Sequence, residues 1–189
     1  LIIDYYNKFY KPNTSFEDES IFIYVMEGDS LAFRDTISKY IKSEKTFYKA
    51  AEYLDYLENQ KTGRFKISKG IGNNDIINSL KFNNSPVNVT FNNQERIENL
   101  AGRVSKQIYE DSLSLVRAFK DKNFLSINNF NNDNVLSMFI PNSYEVYWNI
   151  EPEDFRDKML IEYNKFWNQD RTKKAEQLGL SRLEVISLA

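Results

Sequence analysis

Between Pro141 and Trp148 the chain reads Pro-Asn-Ser-Tyr-Glu-Val-Tyr-Trp, its densest run of side chains able to hold a polar ring. Aromatic faces can stack on the apolar side of a sugar or a base, and carboxamides and carboxylates can bond hydroxyls. Asn142, Tyr144, Glu145, Tyr147 and Trp148 are therefore candidates for the lining of a wet groove. Pro141 fixes φ and donates no backbone hydrogen bond, which marks an edge or a turn, and Asn142 and Ser143 are turn formers. In an extended strand alternate side chains face opposite sides. Tyr144 would then share a face with Val146, and Glu145 with Tyr147. Val146 is the most apolar of the four, so its face is expected in the core, with Tyr144 inside and Glu145 and Tyr147 toward the groove. The same aromatics also suit a second role, as core and cover for the helix that follows. Glu145 equally suits a structural hydrogen bond.

What is missing narrows the chemistry. The 189 residues contain no histidine and no cysteine. That removes Ser-His-Asp and Cys-His catalysis, disulfides, and thiolate or imidazole metal sites. Any chemistry must come from Asp, Glu, Tyr, Lys, Arg or the backbone, and no metal or cofactor is expected. A net charge of −2 gives no basic footprint for nucleic acid and no polybasic membrane patch. Gly70-Ile71-Gly72 lacks the third glycine of a phosphate-binding loop and reads as a turn. The Asn-rich stretch 127–134 carries one carboxylate, Asp133, too few for a calcium loop. No complete signal peptide or membrane span is present. Leu1-Ile2-Ile3, followed by Tyr5, Tyr6, Lys8, Phe9, Tyr10 and Lys11, fits either a membrane helix leaving through the interface or an ordinary frayed terminus.

The elements that must position the candidates follow from periodicity. Residues up to about Ser20 read as a linker. Strands are expected at 21–25, 64–68 and 86–91, where β-branched and aromatic residues concentrate or alternate with polar ones. Helices are expected after an N-cap at Ser30, over 46–57, around Ile76–Leu80, along the face Ile97, Leu100, Ala101, Val104 and Ile108, over 112–120, over 152–167, and over 171–178 capped by Asp170. A strand, a Gly/Asn turn and a helix thus recur three times, and the first two copies enclose an extra helix. The fold class is α+β: a small β-α-α-β module, then a mostly helical region. Ser181-Arg182-Leu183-Glu184 is a capping box with Leu180 and Val185 as a hydrophobic staple. The helix it opens reaches Ala189 inside an apolar run, so the chain is expected to be a fragment.

Phe139-Ile140-Pro141-Asn142-Ser143-Tyr144-Glu145-Val146-Tyr147-Trp148, the helix ending Tyr163-Asn164-Lys165-Phe166-Trp167, and the run from Leu178 to Ala189 resemble the YceG-like family. These are the endolytic murein transglycosylases, also called MltG, and the version similar to this chain is that of Bacteroidetes. The resemblance implies a juxtamembrane linker over 1–15, a LysM-like subdomain over 16–82, and the N-terminal part of a catalytic domain over 83–189. It implies a helix before Leu1 crossing the inner membrane once, with the chain on the periplasmic face. Peptidoglycan glycan strands are the implied substrate, peptidoglycan synthases possible partners, and no cofactor is needed. The family's catalytic Glu would fall just after Ala189, leaving no catalytic residue within this chain. The alternative reading is a non-catalytic peptidoglycan-binding or scaffold module. An older family name, aminodeoxychorismate lyase, would require pyridoxal phosphate with a Schiff-base lysine and a phosphate cradle, and no convincing cradle is found.

Overall fold

The computed structural model describes residues 2–26 and 28–188, with side chains through Ile186 in the last helix. Leu1, read as part of a membrane turn, and Ala189, read as the residue before the catalytic acid, lie outside the described residues. Among these residues no helix is long and apolar enough to cross a membrane. The chain is α+β, with two-stranded sheets and many short helices. It divides into two compact units, residues 1–86 with 147–149, and residues 87–146 with 150–189.

In the first unit β1 (Ser20–Val25) pairs antiparallel with β2 (Gly63–Ser68), the pairing that the β-branched and alternating patterns require. Ile23, Val25, Phe65 and Ile67 turn inward. They meet Phe33 and Ile37 of α2 (Ser30–Ile37), Phe47, Ala50 and Ala51 of α3 (Glu44–Tyr53), and Ile76, Ile77 and Leu80 of α4 (Asn73–Phe82). Each large apolar side chain buried this way stabilises the unit by ~1.5–3 kcal/mol. The N-cap of α2 is Asp29, whose carboxylate accepts from the Ala32 N–H at 2.9 Å, and not Ser30 as expected.

The stretch read as linker is structured. Ile2–Phe9 form a helix, α1, and Phe9 is buried. Beyond it Asn13 and Asn73 are both buried and bond side chain to side chain at 2.7 Å. The remaining groups of this pair are also satisfied: Asn13 accepts from the Ser43 N–H, and Asn73 donates to the Lys8 carbonyl. Gly72 lets these segments meet, because a Cβ there would lie 2.6 Å from the Phe9 carbonyl oxygen. The Gly-x-Gly turn is thus a close backbone approach.

The second unit is built on β3 (Pro86–Phe91) and β4 (Asn142–Tyr147), which share a sheet. Helices α5 (Ile97–Val104), α6 (Ser112–Phe119), α7 (Lys122–Ile127) and α8 (Pro152–Phe166) supply most of the core. The whole expected face of α5, from Ile97 to Ile108, is buried. On α8, Phe155, Met159 and Tyr163 are buried in turn, with Pro152 at the first helical turn. The Phe119 ring joins Phe139 at 4.6 Å and Phe155 at 6.1 Å, linking the centre of the unit to the approach of β4. Helix α9 (Gln169–Gln177) is capped by Asn168, two residues earlier than the expected Asp170. The capping box of α10 (Arg182–Leu188) forms as expected, with the Ser181 N–H donating to the Glu184 carboxylate at 2.7 Å and the Glu184 N–H to the Ser181 hydroxyl at 3.2 Å.

Candidate functional site

A cleft of about 330 Å³ opens in the second unit where β3, the loop before β4 and α10 converge. Its floor is apolar, made by Phe91, Leu100, Leu136 and Phe139. One rim is the turn Asn92-Asn93-Gln94, and another is Asp133, Asn134 and Ser137. Pro141, Leu183 and Ile186 close the remaining sides, so the face of α10 set by the capping box is part of the wall.

The rims hold their shape through their own amides. Gln94 donates to the Asn92 side-chain oxygen at 2.8 Å, and Asn134 accepts from the Asn131 N–H at 2.7 Å. The Asn131 oxygen receives the Asp133 N–H at 2.8 Å, and the Ser137 hydroxyl donates to the Asn134 carbonyl at 2.7 Å. Each carboxamide both donates and accepts, and an apolar floor lies beneath them. A ring with one apolar face and a hydroxyl fringe fits such a cleft, whereas a strongly charged ligand finds no cation among the groove residues. The amide-rich turns 92–94 and 131–134 are not among the candidates that the sequence singles out. Their signal was the local density of Asn and Gln, which serves turns and hydroxyl recognition alike.

The structure distributes the five candidates instead of gathering them. Pro141 lines the cleft, and Asn142 follows it, exposed, with its side-chain oxygen accepting from the Ser143 N–H at 2.8 Å. Tyr144 points inward and is 6% exposed, as the alternation with Val146 requires. Its ring stacks on Phe91, with centroids 5.5 Å apart, and its hydroxyl donates to the Ile140 carbonyl. Tyr144 therefore supports the floor from below and does not line the cleft. Burial, and secondarily the Glu162 carboxylate, push its phenol up to about 12. Glu145 and Tyr147 are exposed on the opposite face of β4. Trp148 belongs to the first unit, where its ring meets Tyr24 edge-on at 4.9 Å.

A family model described as the YceG-like family matches residues 26–189. No curated protein matches the chain. The fold is similar to that of a crystal structure of a Listeria monocytogenes protein described as yceG-like, with a TM-score of 0.50 and 14% identity. That alignment covers 88% of this chain and 61% of the other, so this chain spans less than two thirds of that protein's length. At this identity the likeness concerns the fold alone. The family match takes in nearly all of the sequence, including both rims of the cleft and α10, and the chain belongs to the YceG-like family.

Proposed function

We propose that the whole protein is an endolytic lytic transglycosylase of peptidoglycan, and that the cleft of the second unit holds the glycan strand. The observation that carries this reading is the amide-rimmed, apolar-floored cleft walled by α10, in a chain of a family generally associated with that activity. In such a reaction one carboxylic acid of raised pKa protonates the glycosidic oxygen, and the bond from the anomeric carbon to that oxygen breaks. The same group, now a carboxylate, takes the proton of the C6 hydroxyl as that oxygen attacks the anomeric carbon. The product is a 1,6-anhydro end, and no water is consumed. This needs neither histidine, cysteine nor metal. The acid is proposed to follow Ala189 on the helix that Ser181 caps, since Leu183 and Ile186 of that helix already wall the cleft.

In this reading residues 16–82, which lie in the first unit, are the LysM-like subdomain, and residues 83–189 begin the catalytic domain. The protein is held at the periplasmic face of the inner membrane. Support for the last point is the chemistry of α1, where Ile2, Ile3, Tyr5 and Tyr6 are exposed beside Lys8, as interfacial segments are. Peptidoglycan synthases are the proposed protein partners.

Incubation of the full-length protein with purified peptidoglycan should release anhydromuropeptides, detected by mass spectrometry. The 189-residue chain alone should release none above a buffer control. Asn93→Ala in the full-length protein should lower turnover about tenfold, as expected when a group made to meet a substrate hydroxyl is removed. Products with free reducing ends would mean hydrolysis and would overturn the mechanism. Activity of the isolated chain would move the acid inside it.

A further inference from the structure

Helix α10 divides its faces between two openings of the second unit. Leu183 and Ile186 wall the cleft, whereas Arg182 reaches a separate recess of about 450 Å³. Gln169, Thr172, Lys173 and Glu176 of α9 line that recess at the i, i+3, i+4, i+7 spacing of one helix face, and Trp167 completes it. The Arg182 guanidinium donates to the Thr172 hydroxyl at 3.3 Å and lies 5.6 Å from the centre of the Trp167 ring. Lys173 and Glu176 are exposed, and among the described residues neither forms an ion pair. Trp167 is 5% exposed, yet its indole N–H has no acceptor among the described residues. A charged helix face is ordinarily just solvated. This one borders a recess together with a buried donor that folding has left unmatched, and such a donor costs free energy until an acceptor arrives.

We propose that this recess binds a zwitterionic amino-acid head, an ammonium and a carboxylate on one carbon. Arg182 and Lys173 would take the carboxylate and Glu176 the ammonium, and a carboxylate oxygen would give the Trp167 N–H the acceptor it lacks. The charge set selects this occupant. A bare anion would meet Glu176, and a bare cation would meet Arg182 and Lys173, so a ligand carrying both signs leaves neither repulsion in place. In peptidoglycan that group is the free end of a diaminopimelate residue in a stem peptide. The recess and the cleft are neighbours across α10, and the cationic recess would read the peptide where the amide-rimmed cleft reads the sugars. The full-length protein would then favour strands that carry stem peptides over denuded ones. Naming the polymer rests on the peptidoglycan reading of the preceding section, whereas binding of the head group does not.

The test titrates the isotope-labelled 189-residue chain with the tripeptide L-alanyl-γ-D-glutamyl-diaminopimelate and follows the indole N–H signals by NMR. The Trp167 signal should shift saturably while that of Trp148, the other tryptophan, stays still. Arg182→Gln should weaken binding about tenfold, and Lys173→Gln, on an exposed helix face, about threefold with unchanged circular dichroism. Acetylating the side-chain amine of the peptide should weaken binding to the wild type about fivefold, and Glu176→Gln should erase that preference. In the full-length protein, amidase-denuded strands should be cleaved more slowly than peptide-bearing ones, and Arg182→Gln should narrow the difference. If inorganic phosphate or the acetylated peptide moves the Trp167 signal at the same concentration as the free tripeptide, the recess takes anions only and the inference fails. It fails too if neither Arg182→Gln nor Lys173→Gln weakens binding, or if the tripeptide gives no saturable shift by about 10 mM. Release of anhydromuropeptides by the full-length protein would then leave the cleft reading standing. If the tripeptide binds as expected but the full-length protein releases none, the recess stands and the peptidoglycan reading falls.

Discussion

Strand β1 turns Phe22 and Tyr24 outward and keeps Ile23 and Val25 in the core, whereas β4 buries Tyr144 beside Val146 and leaves Glu145 and Tyr147 in solvent. Both strands obey the same period of two, yet β1 sends both its aromatics outward while β4 sends one of its two inward. Where a strand has enough β-branched aliphatics, as β1 does, these take the core and the amphipathic rings stay outside. β4 has a single aliphatic, so a tyrosine must complete the inward face. That tyrosine then needs a partner for its hydroxyl, and the Ile140 carbonyl supplies it. The alternation of a strand decides which residues share a side, and the competition among them decides which side is buried.

The largest expected effect breaks this contrast at β4. Tyr144→Ala should destabilise the protein by ~3 kcal/mol or more, as large-to-small aromatic changes in a core do. Tyr24→Ala, on the outward face of β1, should stay within ~0.5 kcal/mol. Urea unfolding of both variants checks the pair, and equal losses would show that the Tyr24 ring is structural. A second, smaller effect concerns the polar pair that pins the N-terminal stretch to the first unit. Asn73→Ala leaves one N–H of the buried Asn13 amide and the Lys8 carbonyl without their Asn73 partners, although the amide keeps its bond to the Ser43 carbonyl, and should cost ~1–3 kcal/mol. Hydrogen exchange should then show residues 2–14 opening ahead of the rest.

The third prediction is a pH dependence. The fold favours the protonated Tyr144 phenol, raising it from 10.0 to about 12. A raised folded-state value contributes stability that is whole below the unfolded value of 10.0 and is lost as pH rises through about 12. Burial raises the Tyr163 and Tyr56 phenols in the same direction. Stability should therefore fall with pH above about 10, and Tyr144→Phe should make that decline shallower. At neutral pH the same variant should cost ~1 kcal/mol for the lost hydrogen bond to Ile140. A decline of unchanged steepness in Tyr144→Phe would show that the other phenols carry all of it.

Much of this fold could be read from local pattern. The capping box at Ser181, the apolar faces of α5 and α8, the strand pair β1–β2 and the inward turn of Tyr144 each depend on spacing within one element. What escaped depends on contacts distant in sequence. Asn13 reads as a turn residue until Asn73, sixty positions away, accepts its hydrogen bond. Residues 2–14 consequently look like linker. The caps of α2 and α9 lie one and two residues before the expected positions because Asp29 and Ser30, or Asn168 and Asp170, are all competent caps, and backbone direction chooses between them. The cleft was hidden for a related reason. Its rims are turns far apart in the chain, and the aromatic run at 144–148, continuous in sequence, is split between inward face, outward face and a different unit.

The smallest expected effect on stability sharpens the comparison most. Tyr147 is 56% exposed and sits on the outward face of β4, as Tyr24 does on β1. A ring left in solvent contributes little to folding, so Tyr147→Ala should move the unfolding free energy by no more than ~0.5 kcal/mol. Its effect on turnover separates two uses of an outward aromatic. If β4 presents Tyr147 and Glu145 to the glycan, Tyr147→Ala and Glu145→Gln in the full-length protein should each lower kcat/KM several-fold, by about 1 kcal/mol in transition-state terms, with the melting temperature unchanged. If instead the ring covers the strand, the melting temperature should drop by several degrees while turnover persists. The side chain lies outside both the cleft lining and the buried core, and one thermal scan with one kinetic assay separates the two uses.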